Sequence, residues 1–166
     1  MNGGPLRLRE LLDRLVEAEI AFVLVGGLAV NAWGYLRATR DVDLVPEPSP
    51  GNLERLATVL ERHGGRVEVE DGRLAASAIR LFLKVGDRTL VSTDLGEVDV
   101  LQGLPQIPSY SELSKDAVEA DLGGLRVRVC SLEALLAMKR ASTRERDRED
   151  VALLESAHGR GRDRSP

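Results

Sequence analysis

The sequence predicts an α/β domain: a mixed, twisted sheet flanked by helices, with a helical C-terminal segment closing a cleft. Three observations predict it. Short apolar or alternating runs at 20–25, 41–45 and 97–101 have the length and two-residue period of strands. Segments with the 3.6-residue period of amphipathic helices lie among them, the first over 6–19. Glycine and proline pairs punctuate the boundaries, as at Gly26-Gly27, Pro46-Glu47-Pro48 and Gly64-Gly65.

Each element has its own signal. Over 6–19, Leu8, Leu11, Leu12, Leu15 and Val16 fall on one helical face. Residues 20–25 form a buried strand that ends in the Gly26-Gly27 turn, and 28–35 a short helix stopped by Gly34. The strand 41–45 closes at Pro46, and 52–63 is a second amphipathic helix with Gly64-Gly65 as its C-cap pair. From 66 to 101 the pattern is β-rich, with alternation at Val67/Val69, over 79–85 and over 97–101. A strand over 125–130 leads to a helix over 131–141 with Ser131 as N-cap, and Asp147 caps a last helix through Leu154 to about 157. No repeat or linker interrupts the chain, so residues 1–158 are expected to be one domain with its C-terminal helices starting near 131. Residues 159–166, with Arg160, Arg162 and Arg164 among Gly, Ser and Asp, read as a disordered, solvated tail.

Bulk properties narrow the function. With 166 residues, 43% apolar and 30% charged, the chain can bury a core of its own, filled mainly by aliphatic side chains because aromatics are 3%. No apolar run reaches the roughly 20 residues that span a bilayer, and the N-terminus lacks signal-peptide character, so no membrane contact is expected. The single cysteine, Cys130, excludes an internal disulfide, fits a cytoplasmic protein and sits between apolar residues as a core position. A net charge of −4 argues against holding nucleic acid by the overall field. His63 and His158 lack partners at metal-ligand spacing, so neither zinc nor histidine chemistry is assigned.

The chemistry concentrates in two stretches. On a strand, Asp41 and Asp43 share a face while Val42 and Leu44 turn to the core. Paired carboxylates repel unless a cation lies between them, and their hard oxygens suit Mg²⁺ or Mn²⁺, which also takes phosphate ligands. Gly26-Gly27, between strand and helix, lets backbone approach phosphate closely, and the helix start offers free N–H groups. Arg37, at the parity of Asp41 if the strand begins early, suits a phosphate contact.

Gly-Gly, a short helix, Asp-x-Asp on a strand and a later Asp on another strand resemble the nucleotidyltransferase superfamily typified by polymerase beta. The resemblance implies the nucleotidyltransferase fold, and a third carboxylate, best matched by Asp99 in Gly96-Glu97-Val98-Asp99-Val100-Leu101, with Asp87 and Asp94 as alternatives. It implies that Asp41, Asp43 and Asp99 are catalytic and hold the metal ions, while Gly26, Gly27, Arg37 and Lys139 bind the nucleotide. Residues 125–139 followed by Arg146-Asp147-Arg148-Glu149-Asp150 are similar to the AbiEii-type toxins and related small bacterial nucleotidyltransferases, where a lysine and a downstream Asp-x-x-Asp recur. Gly26-Gly27 departs from the Gly-Ser of the wider superfamily and lacks its hydroxyl. Lys139 stays open between a phosphate ligand and an exposed helix lysine. Asp147 and Asp150 read as helix-capping groups, the alternative being a role in orienting Lys139 or the acceptor.

The implied activity is metal-dependent transfer of a nucleoside monophosphate from an NTP to an acceptor hydroxyl: a tRNA end, a protein side chain or a small molecule. The alternative is a catalytically inactive module of the same fold, acting as an antitoxin or assembly subunit, with a partner protein of a toxin–antitoxin pair.

Overall fold

The computed structural model describes residues 5–159: of the disordered tail expected at 159–166, Gly159 instead ends the last helix, and 160–166 lie outside the described residues. Leu8, Leu11, Leu12 and Leu15 are all buried where α1 (Pro5–Glu17) packs over the sheet. β1 (Phe22–Val25) is buried along its whole length and pairs antiparallel with β2 (Asp41–Pro46), which sets Val25 opposite Asp43. The helix between them, α2 (Gly26–Ala32), starts on the glycines themselves rather than at Leu28. It ends before Gly34, since Trp33 is already its C-cap.

α3 (Pro50–Arg62) opens at Ser49, whose hydroxyl accepts from the Asn52 N–H, with Pro50 preset for the first helical position. The buried Asn52 side chain bonds both backbone groups of Ala21 and the Glu47 carbonyl, which fixes α3 to the entrance of β1. Gly64, at φ +73°, turns the chain toward β3 (Arg66–Val69) and β4 (Gly72–Leu74).

The segment 79–85, expected as an alternating strand, is the helix α4 (Ala78–Val85). The run is almost wholly apolar and therefore carries both periods. Packing against α3 selects the helical one, burying Ile79 and Leu83 and leaving Leu81 and Val85 exposed. β5 (Arg88–Thr93) and β6 (Gly96–Leu101) then form a tight hairpin. α5 (Tyr110–Asp116) is opened by a Ser109–Glu112 capping box and leads to β7 (Val118–Asp121) and β8 (Arg126–Val129).

Ser131 caps α6 (Leu132–Arg140) as expected, accepting from the Ala134 N–H. α7 (Glu145–Gly159) begins earlier than expected, so Asp147 lies within its first turn and does not cap it. Near its far end, the His158 ring meets Trp33 edge-on at 5.7 Å between centroids.

The strands form one eight-stranded sheet in the order β4-β3-β5-β6-β2-β1-β8-β7. Its centre is mixed: β6 and β2 are parallel, β2 and β1 antiparallel, β1 and β8 parallel. Cys130 is fully buried at the end of β8, and burial pushes its thiol up to about 12, which marks it as core. Among the described residues no helix is long and apolar enough to cross a membrane.

Candidate active site

The parallel pairing of β2 with β6 sets Asp41 beside Glu97 and Asp43 beside Asp99. Val42, Leu44, Val98 and Val100, alternating with these positions, are fully buried, so the acidic residues take the other face. Asp41, Asp43 and Asp99 there line a cleft of about 560 Å³, together with Gly26 and Lys139. Asp87 and Asp94, the alternatives for the third carboxylate, lie in the turns on either side of β5, outside this lining.

Gly26 lies just past Val25 and against Asp43. A Cβ at Gly26 would stand 2.0 Å from Asp43 Oδ2, and the residue has φ +65°. The glycine therefore answers two constraints together, left-handed backbone and contact with a carboxylate. Gly26→Ala is expected to cost about 2 kcal/mol or more, from the left-handed penalty plus displacement of Asp43, and to abolish activity. Urea denaturation and a transfer assay check both. Gly27 serves differently: its N–H faces the Asp43 carboxylate, and its own Cβ would crowd the Thr39 hydroxyl at 2.7 Å.

Burial, then the charges of Asp99 and Asp41, pushes the Asp43 carboxyl up to about 6, against the opposing pull of Lys139 and the Gly27 N–H. A raised carboxyl pKa means that the folded chain binds this proton more tightly than the unfolded chain. Its stabilising contribution is full below about pH 4 and is lost as pH rises through about 6. Asp43→Asn is therefore expected to gain stability over wild type as pH rises from 4 to 7, by on the order of 2 kcal/mol. Urea melts in the presence of a chelator measure the difference.

Asp99 is buried and turns both oxygens to Arg88, a residue that the sequence did not single out. The Arg88 Nε lies 3.0 and 2.9 Å from the two oxygens, and an Nη2–Oδ2 contact of 2.7 Å completes the fork. Hydrogen bonding to Asp99 first, then the charges of Asp99, Asp43 and Asp41, raises the Arg88 pKa against its partial burial. Among the described residues no three His, Cys, Asp or Glu side chains are grouped as a metal site.

Lys139 is no exposed helix lysine: it is 8% exposed and stands at the cleft wall. Its ammonium lies 2.7 Å from Asp147 Oδ1 and 3.0 Å from Asp150 Oδ2. The capping role read for these two acids is thereby corrected. One helical turn apart on α7, they face α6 and hold Lys139. Burial works to raise the Asp147 pKa, but hydrogen bonds from Lys139 and Ser142 and the charges of Lys139 and Arg144 bring it below the ordinary value. Arg37 is also placed away from the cleft lining, with Nη2 at 3.0 Å from Asp150 Oδ2. β2 begins only at Asp41, so the parity that aligned Arg37 with the carboxylates does not extend to it.

Apolar side chains also line the cleft, among polar ones such as Gln106, Ser142 and Thr143. The apolar ones include Leu104 and Ile107 from the segment after β6 and Leu135 and Met138 from α6. Arg144, also in the lining, is mostly exposed and reaches Asp147 at 3.2 Å.

A carboxylate-floored cleft on adjacent parallel strands, beside a strand–glycine–helix turn, is the arrangement of a nucleotidyltransferase. The family described as "Nucleotidyl transferase of unknown function (DUF2204)" matches residues 6–162, and the chain belongs to it. No curated protein matches the sequence. Solved structures share the fold. The lincomycin-bound lincosamide antibiotic adenylyltransferase LnuA superposes with a TM-score of 0.67 at 19% identity, over 92% of this chain and 97% of that one. ANT(2'')-Ia in complex with adenylyl-2''-tobramycin gives a TM-score of 0.60 at 18% identity, over 93% and 89%. An antigenic nucleotidyltransferase-like protein from Paracoccidioides brasiliensis gives 0.60 at 20% identity, over 92% and 76%.

Proposed function

We propose that this nucleotidyltransferase moves a nucleoside monophosphate from an NTP to the hydroxyl of a small molecule. The observation that carries this reading is the in-register pair Asp43 and Asp99 at the floor of the cleft, with Gly26 pressed against Asp43. In the reaction the acceptor oxygen forms a bond to the α-phosphorus and the bridging α–β P–O bond breaks. Pyrophosphate leaves with the electron pair, and the hydroxyl proton passes to Asp99.

The residues fit a divalent cation. Carboxylate oxygens without thiol or imidazole are the donors that Mg²⁺ and Mn²⁺ prefer, and the Asp43 carboxyl, raised first by burial, is raised further by the Asp99 and Asp41 charges, a repulsion that a cation relieves. Asp41, Asp43 and Asp99 would hold it. When bound, it supplies neutralisation of the triphosphate charge and acidification of the acceptor hydroxyl. Gly26 lets the phosphates approach the backbone, and Lys139 faces them from α6. Gly27 orients Asp43 through its N–H, and Arg37 acts from behind, fixing the Asp150 that holds Lys139.

The acceptor reading is supported by Leu104, Ile107, Leu135 and Met138 in the cleft lining, apolar contacts that suit a compact molecule with an apolar face. The chain's net charge of −4 disfavours a polyanionic acceptor. Lincomycin and tobramycin, named with the structural neighbours, are compounds of this size class. The likeness of Lys139 and Asp147-x-x-Asp150 to AbiEii-type toxins makes a tRNA end the competing acceptor. Incubation with Mg²⁺, each α-labelled NTP, and separately a panel of hydroxylated small molecules, tRNA and cell protein decides between them. Label in a small molecule is the expected result. Label only in tRNA or protein would overturn the acceptor reading, and no label in any pool would overturn the transfer reading.

A further inference from the structure

We infer that Arg88 is a built-in counter-ion that competes with a divalent cation for Asp99, so that this carboxylate becomes available only when the guanidinium is drawn away. The inference rests on the reading of the site as a divalent-cation centre.

The hairpin geometry puts the two residues together. Leu90 of β5 is paired with Asp99 of β6, and Arg88 with Leu101, so Arg88 is the diagonal neighbour of Asp99. Diagonal neighbours on one face are within reach of a long side chain. All three Arg88–Asp99 contacts lie between 2.7 and 3.0 Å. Among the described residues no other side chain donates a hydrogen bond to Asp99.

Exposure separates the mobile partner from the fixed one. The Asp99 side chain is 10% exposed and the Arg88 side chain 59%. The carboxylate is held in the sheet, while the Arg88 side chain lines the cleft and is largely open to solvent. A forked guanidinium engages both carboxylate oxygens, the same atoms that a cation would need. A cation could use only the lone pairs that the guanidinium leaves, and beside a positive charge, so each weakens the other's hold on Asp99.

Without Arg88, Asp99 would sit buried next to Asp43 with no positive group bonded to it, an arrangement that proteins tolerate poorly. The arginine makes the acidic floor tolerable before substrate arrives. Its fork also matches a phosphate, so a polyphosphate entering the same cleft offers it an alternative partner. Arrival of the nucleotide would then free Asp99 at the moment when the cation is needed. Linkage requires the converse as well: a cation on Asp99 favours nucleotide binding.

A double-mutant cycle on the full chain tests this. Mn²⁺ affinity without nucleotide is measured by the resonance signal of the free ion for wild type, Arg88→Gln, Asp99→Asn and the double variant. Arg88→Gln is expected to tighten Mn²⁺ binding about tenfold, the scale of one charge-assisted hydrogen-bond pair. In the Asp99→Asn background the same substitution is expected to change little, because nothing remains to release. Equal tightening in both backgrounds would mean only a general loss of positive charge and would overturn the inference. Wild-type binding that does not respond to Arg88→Gln would overturn it too, while leaving the cation site standing. Absence of Mn²⁺ binding in all four proteins would overturn the cation site itself, and this inference with it.

Discussion

Asp43→Asn is expected to lower the rate of nucleotidyl transfer about a thousandfold or more while leaving the protein at least as stable as the wild type. The two halves of this expectation have one cause. Asp43 is half-buried beside Asp99 and Asp41, and its carboxyl is pushed up to about 6 because ionising it there is unfavourable. A group held in such a place costs the fold stability, and removing its charge returns that stability. The amide keeps the shape and can still accept from the Gly27 N–H, so packing against Gly26 is preserved. What it loses is the negative charge that the proposed reaction uses. Single-turnover rates with saturating NTP, set beside urea melts at pH 7, measure the two effects on one variant. An Asp43→Asn protein that is inactive because it is unfolded would contradict the assignment, and so would one that retains wild-type turnover.

The second large effect is expected at Lys139, in the opposite direction for stability. Lys139→Met should destabilise the protein by about 3–5 kcal/mol, because the lysine is the shared partner of two buried acids. Asp147 is 5% and Asp150 1% exposed, so neither can recover its hydration once the ammonium is gone. Arg37 on Asp150 and Arg144 on Asp147 soften the loss without replacing it, since each touches only one of the acids. In the variant the Asp147 carboxyl loses the Lys139 hydrogen bond and charge that hold its pKa down, so the deficit against wild type should shrink as pH falls from 7 toward 5. Lys139→Met combined with Asp147→Asn should recover part of the lost stability. Denaturation curves of the three proteins across that pH range test the series. A deficit constant with pH would mean that the loss is one of packing alone.

These two residues also show how unevenly the site could be read from the chain. The Asp41–Asp43 pair, the glycine turn before it and the alternation around Asp99 are local patterns, each determined by residues within a few positions of one another. Periodicity of two or 3.6 residues was enough to place β1, β2, β6, α1, α3 and α6 and to put both β2 aspartates on one face. It failed where one apolar run carried both periods, as in α4, and where a strand had no apolar side to announce it, as in the fully exposed β4.

What the sequence by itself determined, then, was the class of fold and the acidic floor of the site, because strand alternation and short glycine turns act over neighbouring residues. Only the tertiary structure decided the charges around that floor. Arg88 meets Asp99 through the register of a hairpin, set by the turn between Thr93 and Gly96. Lys139 meets Asp147 and Asp150 because α6 and α7 pack together, and Arg37 joins them from far along the chain. Opposite charges can pair at any separation in sequence, so their partners are fixed by packing and register and leave no periodic trace.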